Sequence, residues 1–124
     1  MAINREMLDG TLILEDMESG EKVEIRETEK DGRMIIAPIG RLSSVIAHDL
    51  EDELTSIALV CRHMTVDMSG VTYATSSVIR MLLDVQHIID SLEGELVLTG
   101  LNSELMSRFE EMGLDAVFDI EESR

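Results

Sequence analysis

Segments with strand periodicity alternate with segments of helix periodicity along this chain, and this alternation limits its fold more than any other feature. After residue 21 the pattern runs strand, strand, helix, strand, helix, strand, helix. The first two strands flank Asp31-Gly32, a strong signal for a hairpin turn. The later strands are separated by helices, which is typical of parallel crossovers. We therefore predict an α/β domain with a mixed sheet of four to five strands and packed helices.

The predicted strands are short, rich in Val, Ile and Leu, and bounded by turn residues. They cover residues 22–29, 34–39, 64–68 and 95–99, and a further short strand is expected within 114–120. Residues 71–75 are expected to form a connection. Pro38 has no N–H to donate, which predicts that it lies where no ladder bond is needed, at a sheet edge or at the end of its strand.

Three amphipathic helices are predicted from apolar residues at three- and four-residue spacing. Glu104 and Arg108 are placed to pair across one turn of the last helix. In the second helix, Met81 and Ile88 make the apolar stripe wider than one buried face needs. These two residues are either core or part of a second face that a partner covers. The expected buried positions are Ile46, Leu50, Leu54 and Ile57; then Val78, Leu82, Val85, Ile89 and Leu92; and then Leu105, Met106, Phe109 and Met112.

The first 21 residues differ from the rest and are assigned to an N-terminal extension, with the domain proper over residues 22–124. Thr11 to Leu14 is a short apolar run, and its periodicity fits either an extra edge strand or a short helix. This extension is a candidate for mediating homo-oligomers.

The charge balance excludes several classes of partner. The formal net charge is -16, which disfavours nucleic acid and anionic membranes because both require clustered Lys and Arg. No segment is long and apolar enough for a membrane span or a signal peptide. The single cysteine, Cys61, is expected to be a buried structural thiol in a reducing compartment. These features predict a cytoplasmic protein.

Sequence signatures of catalysis are absent. No glycine-rich phosphate loop occurs, and no serine has the G-x-S-x-G setting of a nucleophile. The three histidines, His48, His63 and His87, lack partners at metal-ligand spacing. We therefore predict a protein that is not an enzyme and has neither a metal nor a cofactor.

The most informative segment runs from Val66 to Leu83, where a buried strand leads through a turn to a hydroxyl cluster that opens an amphipathic helix. The cluster, Thr75-Ser76-Ser77, can cap the helix by accepting its orphan N–H groups. The same position also tolerates a phosphate, because backbone donors and the helix dipole favour an anion there. Capping and a phosphorylation switch remain the two interpretations.

This segment resembles the signature of STAS domains, the anti-sigma factor antagonist family. The family pattern is a strand ending in Asp-Leu-Ser, then Val and an aromatic, then Asp-Ser-Ser-Gly and an apolar helix. This chain has Asp67-Met68-Ser69-Gly70-Val71, Tyr73 and Thr75-Ser76-Ser77-Val78. Ile39-Gly40-Arg41-Leu42, Leu98-Thr-Gly-Leu101 and Phe109-Glu-Glu-Met-Gly-Leu114 resemble other parts of the family pattern. The resemblance covers nearly everything after Gly20.

The resemblance implies a regulator that binds an anti-sigma factor or a serine kinase of ATPase fold and is switched by phosphorylation. Ser76 takes the phosphoacceptor place, with Thr75 and Ser77 as neighbouring hydroxyls. The chain departs from the pattern at three positions: Thr75 and Ser43 replace acids, and Val78 replaces glycine. Stressosome-type STAS proteins also have an apolar residue there, so the alternative is a scaffold subunit without a switch. The implied partner-binding residues are Ser43, Ser44, Thr75, Ser77, Val78, Arg80 and Met81.

Overall fold

The computed structural model describes residues 3–121 and consists of one sheet with helices packed on it. Within these residues there are eight strands, three α-helices and one short 3-10 helix. The strands are β1 Ile3–Leu8, β2 Thr11–Asp16, β3 Lys22–Lys30, β4 Arg33–Leu42, β5 His63–Asp67, β6 Val71–Ala74, β7 Glu95–Thr99 and β8 Asp119–Glu121. The helices are α1 Ser44–Val60, α2 Ser76–Ser91 and α3 Ser103–Glu111, with the 3-10 helix at Leu114–Ala116.

The sheet is mixed, as predicted. Its order is β1-β2-β3-β4-β5-β7-β8, and β6 pairs with the end of β4. Strands β1 to β4 are joined by hairpins and are antiparallel. From β4 onwards every pairing is parallel, because helices connect the later strands. The α/β class is confirmed, while the sheet has more strands than the predicted four to five.

The N-terminal residues extend the sheet by two strands. Thr11 to Leu14, expected as an edge strand or a short helix, lies in β2, and β1 takes the outer edge. Leu12 and Leu14 are fully buried and belong to the same core as the helices. The division of the chain between residues 21 and 22 stays a prediction, although β2 shares its core with the residues that follow.

Helix faces follow the predicted spacing in α1 and α2. The four predicted core residues of α1 are buried, as are four of the five predicted for α2, with Leu92 half-buried. Met81 is buried and Ile88 is half-buried, so the wide stripe of α2 is largely core. In α3 only Leu105 and Phe109 are buried, and the prediction for Met112 is wrong, since 49% of its surface is exposed.

Pro38 lies where no ladder bond is needed, as predicted, but its expected edge or end position and the expected connection at residues 71–75 are wrong, because β4 pairs with two strands along one side. Residues 71–75 do not form a simple connection, since β6 occupies Val71–Ala74. Pro38 lies inside β4, where it pairs with Ile25 on one side. On the other side β4 pairs with β5 up to Ile36 and with β6 from Gly40. Proline therefore occupies the gap between two partners, where no ladder bond is needed.

Cys61 follows α1 and is half-buried rather than fully buried. Its thiol donates to the backbone oxygen of Gly32 at 3.3 Å. The expectation of a fully buried thiol is therefore wrong, and Cys61 instead links the end of α1 to the β3–β4 turn.

A carboxyl pair joins three elements on the N-terminal side of the domain. Arg5 of β1 forms an ion pair with Glu53 of α1. Burial and the neighbouring Glu53 raise the pKa of Glu27 in β3 to about 8. Burial alone would raise the pKa of Glu53, but hydrogen bonds from Glu27 and Arg5 outweigh it and lower that pKa. A protonated Glu27 can donate a hydrogen bond to the Glu53 carboxylate. The same carboxylate accepts a hydrogen bond from the Arg5 guanidinium.

Stability should fall as the pH rises from about 4.5 to about 8, because the folded state keeps a Glu27 proton that the unfolded chain releases. Glu27→Gln retains a neutral donor beside Glu53 at every pH. It should remove this fall, on the order of 1 kcal/mol after solvent screening. Urea unfolding across this range measures the effect, with Glu29→Gln at an exposed position of β3 as the control. Equal slopes in wild type and Glu27→Gln would contradict the assignment.

Gly100 allows the loop after β7 to pass close to the turn after β5, at the carboxyl ends of these parallel strands. Its φ of 71° is left-handed, and a Cβ there would lie 2.7 Å from the backbone nitrogen of Ser69. Gly113 has almost the same φ, 72°, yet a Cβ there would meet nothing within 4 Å. The two glycines therefore separate the cost of backbone conformation from the cost of crowding.

Gly113→Ala should lower the free energy of unfolding by about 1 kcal/mol, the cost of a left-handed non-glycine residue. Gly100→Ala should cost about 1–3 kcal/mol more, because the turn at Ser69 must also move. Chemical denaturation of both variants gives the comparison. Equal losses would show that the contact between Gly100 and Ser69 is not tight.

Candidate functional site

The carboxyl ends of β4, β5 and β7 meet at one rim of the sheet. After β5, the Asp67 carboxylate accepts a hydrogen bond from the backbone N–H of Ser69 at 3.0 Å, which bends the chain. Gly70 then accepts from the N–H of Gly40 at 2.9 Å. These bonds return the chain to the sheet as β6, and β6 delivers it to the start of α2. The predicted signature segment is thus a strand, a tight turn, a second short strand and a helix.

The three hydroxyl residues at the start of α2 have different positions. Thr75 is the N-cap, but its side chain makes no capping hydrogen bond. Ser76 and Ser77 are the first two helical residues, and both are exposed. Thr75 occupies the N-cap position without a capping bond from its side chain, and Ser76 and Ser77 lie inside the helix, so side-chain capping does not account for this hydroxyl cluster.

The two positions where the chain lacks the acids of the family pattern lie at the same rim. The backbone N–H of Thr75 donates to the carbonyl of Leu42 at 3.1 Å, which sets Thr75 beside the start of α1. Ser43 is the N-cap of α1. Among the described side chains, the hydroxyl oxygens of Ser43 and Thr75 are buried without a hydrogen-bond partner. The positions filled by acids in the family pattern are therefore neutral here.

Arg108 of α3 reaches across to the start of α2. Its guanidinium donates to the backbone oxygen of Ala74 and to Oγ of Ser76, the latter at 3.2 Å. The predicted pairing of Arg108 with Glu104 is not formed, because the side chain is directed at the rim instead. Ser76 is therefore in direct contact with a cation that comes from a different helix.

Two further arginines lie around this rim. Arg41, near the end of β4, stacks over the Tyr73 ring, with its guanidinium carbon (Cζ) 4.4 Å from the ring centroid. Arg80 lies one turn after Ser76 on α2 and is exposed. The chain has only 10 Lys and Arg among 124 residues, and three of these cations lie on the elements that form this rim.

A groove of about 330 Å³ runs between α1 and α2 and opens beside Ser76. One end is lined by serines and Arg80, whereas carboxylates lie further along. Burial raises the pKa of Glu51, and the charge of Asp84 raises it further. The groove therefore offers hydroxyls and a cation at the rim and acids away from it. Its lining residues are Ala47, His48, Glu51, Ser76, Ser77, Arg80, Met81 and Asp84.

The structure brings most of the predicted partner-binding residues to this rim. Ser44, Ser77 and Arg80 are exposed, and Ser43 and Thr75 are half-buried. Val78 is fully buried, and only 3% of Met81 is exposed. The side chains of Val78 and Met81 therefore pack in the core and are not presented as outer contact residues, although Met81 forms part of the groove floor.

Sequence reasoning missed Arg108 as a rim residue. One signal was available, since Arg108 is the only basic residue between Glu93 and Ser123. An isolated cation on an acidic helix is more informative than its spacing to Glu104. Sequence also missed the facing of Glu51 and Asp84, because only the packing of α1 against α2 brings them together.

Two findings concern other kinds of site. In residues 3–121, no group of three or more His, Cys, Asp or Glu side chains is arranged to hold a metal ion. Over the same part of the chain, no helix is both long and apolar enough to cross a membrane.

No curated protein sequence matches this chain at a significant level. Among solved structures, an anti-sigma factor antagonist from Mycobacterium paratuberculosis has a TM-score of 0.72 at 18% identity, covering 86% of this chain and 89% of its own. A STAS domain protein from Planctomyces limnophilus has a TM-score of 0.72 at 17% identity, covering 81% and 91%.

A third similar structure is that of the Bacillus cell fate determinant SpoIIAA in its phosphorylated form. Its TM-score is 0.65 at 12% identity, and the match covers 81% of this chain and 91% of SpoIIAA. At these identities the structural likeness establishes a shared fold. The STAS domain family model matches residues 22–124, so the chain belongs to the STAS domain family.

Proposed function

We propose that this protein is a regulator of the anti-sigma factor antagonist type, which acts by binding a protein partner in the cytoplasm and not by catalysis. The partner is an anti-sigma factor or serine kinase of ATPase fold that docks on the rim formed by the starts of α1 and α2. Phosphorylation of Ser76 ends the complex. The similar anti-sigma factor antagonist structures support this class, and the residues at the rim support the mechanism.

The observation that carries the proposal is the position of Ser76. It is the first residue of α2, exposed, and unused as a helix cap. A kinase needs an accessible hydroxyl, and Ser76 offers one without loss of a structural bond to its own helix. The folded domain can also keep a phosphate at this place, since the positive end of the helix dipole favours an anion.

Electrostatics explain how a phosphate would break a complex. A phosphoserine adds about -1.5 to -2 charges at neutral pH. The unmodified rim carries Arg41, Arg80 and Arg108 around neutral hydroxyls, whereas the whole chain has a net charge of -16. A partner surface that fits this rim would be repelled once the phosphate offsets these cations, and the phosphate would also have to be desolvated.

The absence of acids at positions 43 and 75 affects the choice of kinase. A kinase that recognises carboxylates next to the phosphoacceptor would find Ser43 and Thr75 instead. We therefore propose a dedicated partner whose recognition relies on the rim arginines and on the hydroxyls, with Thr75 and Ser77 as weaker acceptors.

A second candidate function is a scaffold subunit without a switch. The observation that favours it is the outer edge of β1, which is paired only with β2 among the described strands. Exposed strand edges pair readily with other chains, and Met7 and Leu8 on this strand are each about half exposed. Val78 in place of glycine is a further resemblance to stressosome-type proteins.

Capture experiments with matched baits test the switch. Wild type, Ser76→Ala and Ser56→Glu should each retain an ATPase-fold partner from the native lysate, whereas Ser76→Glu should lose most of it. Ser56 is exposed on α1, about 18 Å along the helix axis from Ser44, so it controls for added charge alone. Quantitative mass spectrometry of the retained proteins gives the result.

A label-transfer assay completes this test. The captured partner, supplied with labelled ATP, should phosphorylate wild type strongly and label Ser76→Ala only weakly, at Thr75 or Ser77. Retention of the same partner by Ser76→Glu, together with labelling of Ser76→Ala as strong as that of wild type, would contradict the switch at Ser76.

Mass in solution separates the two candidate functions. The switch predicts a particle near the chain mass of 13.8 kDa across a wide range of concentration. A scaffold predicts a stable larger assembly, because interfaces built on strand edges and apolar residues persist on dilution. Light scattering coupled to size-exclusion chromatography measures the mass, and a stable large oligomer would favour the scaffold.

A further inference from the structure

The guanidinium of Arg108 is held in place independently of Ser76. Arg108 belongs to α3, which begins at Ser103, where the Asn102 side chain caps the helix by accepting from the N–H of Leu105 at 2.8 Å. From this fixed helix, one guanidinium nitrogen donates to the carbonyl oxygen of Ala74, the last residue of β6. The second nitrogen is left facing Ser76.

The distance to Ser76 is short enough for direct contact with a group attached to its oxygen. Nη2 of Arg108 lies 3.2 Å from Oγ of Ser76. A phosphate on that oxygen adds acceptor oxygens within reach of the same nitrogen. A guanidinium presents several donors in a rigid planar fork, so Nη2 can donate a charge-assisted hydrogen bond to the phosphate while Nη1 stays on Ala74.

No acid in residues 3–121 neutralises the charge of Arg108. Among the described residues, ion pairs join Arg5 to Glu53 and Arg33 to Glu95, and none involves Arg108. Glu104, four residues earlier on the same helix, is exposed and does not pair with it. A phosphate would therefore gain an ion pair without displacing a carboxylate.

We propose that Arg108 is the residue that holds the phosphate on Ser76 and thereby ties the start of α2 to α3 in the phosphorylated protein. This inference rests on the proposed phosphorylation of Ser76 and adds a positioning residue from a distant part of the chain. In the unmodified protein the same arginine orients the Ser76 hydroxyl. In the phosphorylated protein it fixes the phosphate beside β6 and lowers the phosphate's affinity for protons.

The experiment uses the full chain with phosphoserine incorporated at position 76 during translation, so that no kinase or partner is needed. Phosphorus NMR then follows the second ionisation of the phosphate, ordinarily near pKa 6. A cation in contact favours the dianion, so the folded wild type should titrate about 0.5–1 unit lower than the same chain unfolded in urea. Arg108→Gln should lose most of this difference.

Two variants serve as controls. Arg62→Gln removes one positive charge just before β5, at the opposite end of the parallel strands from Ser76, and should leave the titration unchanged. Arg108→Lys keeps the charge without the fork and should give an intermediate shift. A purely structural role for Arg108 would change the melting temperature of the unphosphorylated chain without changing the phosphate titration.

The proposal is overturned if the folded phosphorylated wild type titrates like the urea-unfolded chain, or if Arg108→Gln titrates like wild type. The first comparison needs no substitution, so it decides the matter even where Arg108→Gln fails to fold. Failure here leaves the partner switch intact, since the capture experiment tests that separately. Conversely, a shifted titration with no partner loss in Ser76→Glu would support Arg108 and contradict the switch.

Discussion

The rim of this domain depends on one constraint in the sheet: β4 forms hydrogen-bonded pairs with two different strands along the same edge. It pairs with β5 up to Ile36 and with β6 from Gly40, and Pro38 occupies the interval without a donor to leave unsatisfied. The chain must therefore leave the sheet after β5, turn at Gly70 and return as β6. That detour places the first turn of α2 above the carboxyl ends of the strands, with Ser76 at its start.

A second group of contacts makes the rim distinctive in an acidic protein. Acids dominate the sequence, yet Arg108 contacts Ser76, Arg80 shares a groove with Ser76 and Ser77, and Arg41 stacks over Tyr73 on the neighbouring strand. The direct contact of Arg108 with Ser76 joins the last helix to the signature segment across 32 residues. Since surface charges interact over about 8–10 Å at physiological salt, this local balance matters more to a docking partner than the net charge does.

Much of the fold was predictable because its signals are local. The Asp31-Gly32 turn, the alternation in β3 and the buried faces of α1 and α2 each follow from residues close in sequence. The short strand β6 was missed because it pairs with β4 over only a few residues and has no period of its own. The predicted burial of Met112 was wrong because only a narrow face of α3, carrying Leu105 and Phe109, packs in the core.

The candidate site was predictable in part. Family resemblance located Ser76, whereas the spacing of the hydroxyl cluster alone favoured helix capping over phosphorylation. The assignment of Arg108 needed the tertiary structure, since an arginine four residues from a glutamate on a helix is normally assigned to that neighbour. Likewise, the burial of Val78 and Met81 depends on how α2 packs on the sheet. This packing is set by tertiary contacts and not by the local sequence of α2.

The proposed switch requires phosphorylation of the Ser76 hydroxyl in the living cell. Phosphopeptide mapping of the protein isolated from cells that naturally make it tests this most directly, with samples from growing and from stressed cultures. The account predicts phosphate on Ser76 in a fraction of molecules that changes between these conditions. Protein that carries no phosphate in either condition, or carries it only on serines remote from the rim such as Ser56, would contradict the account.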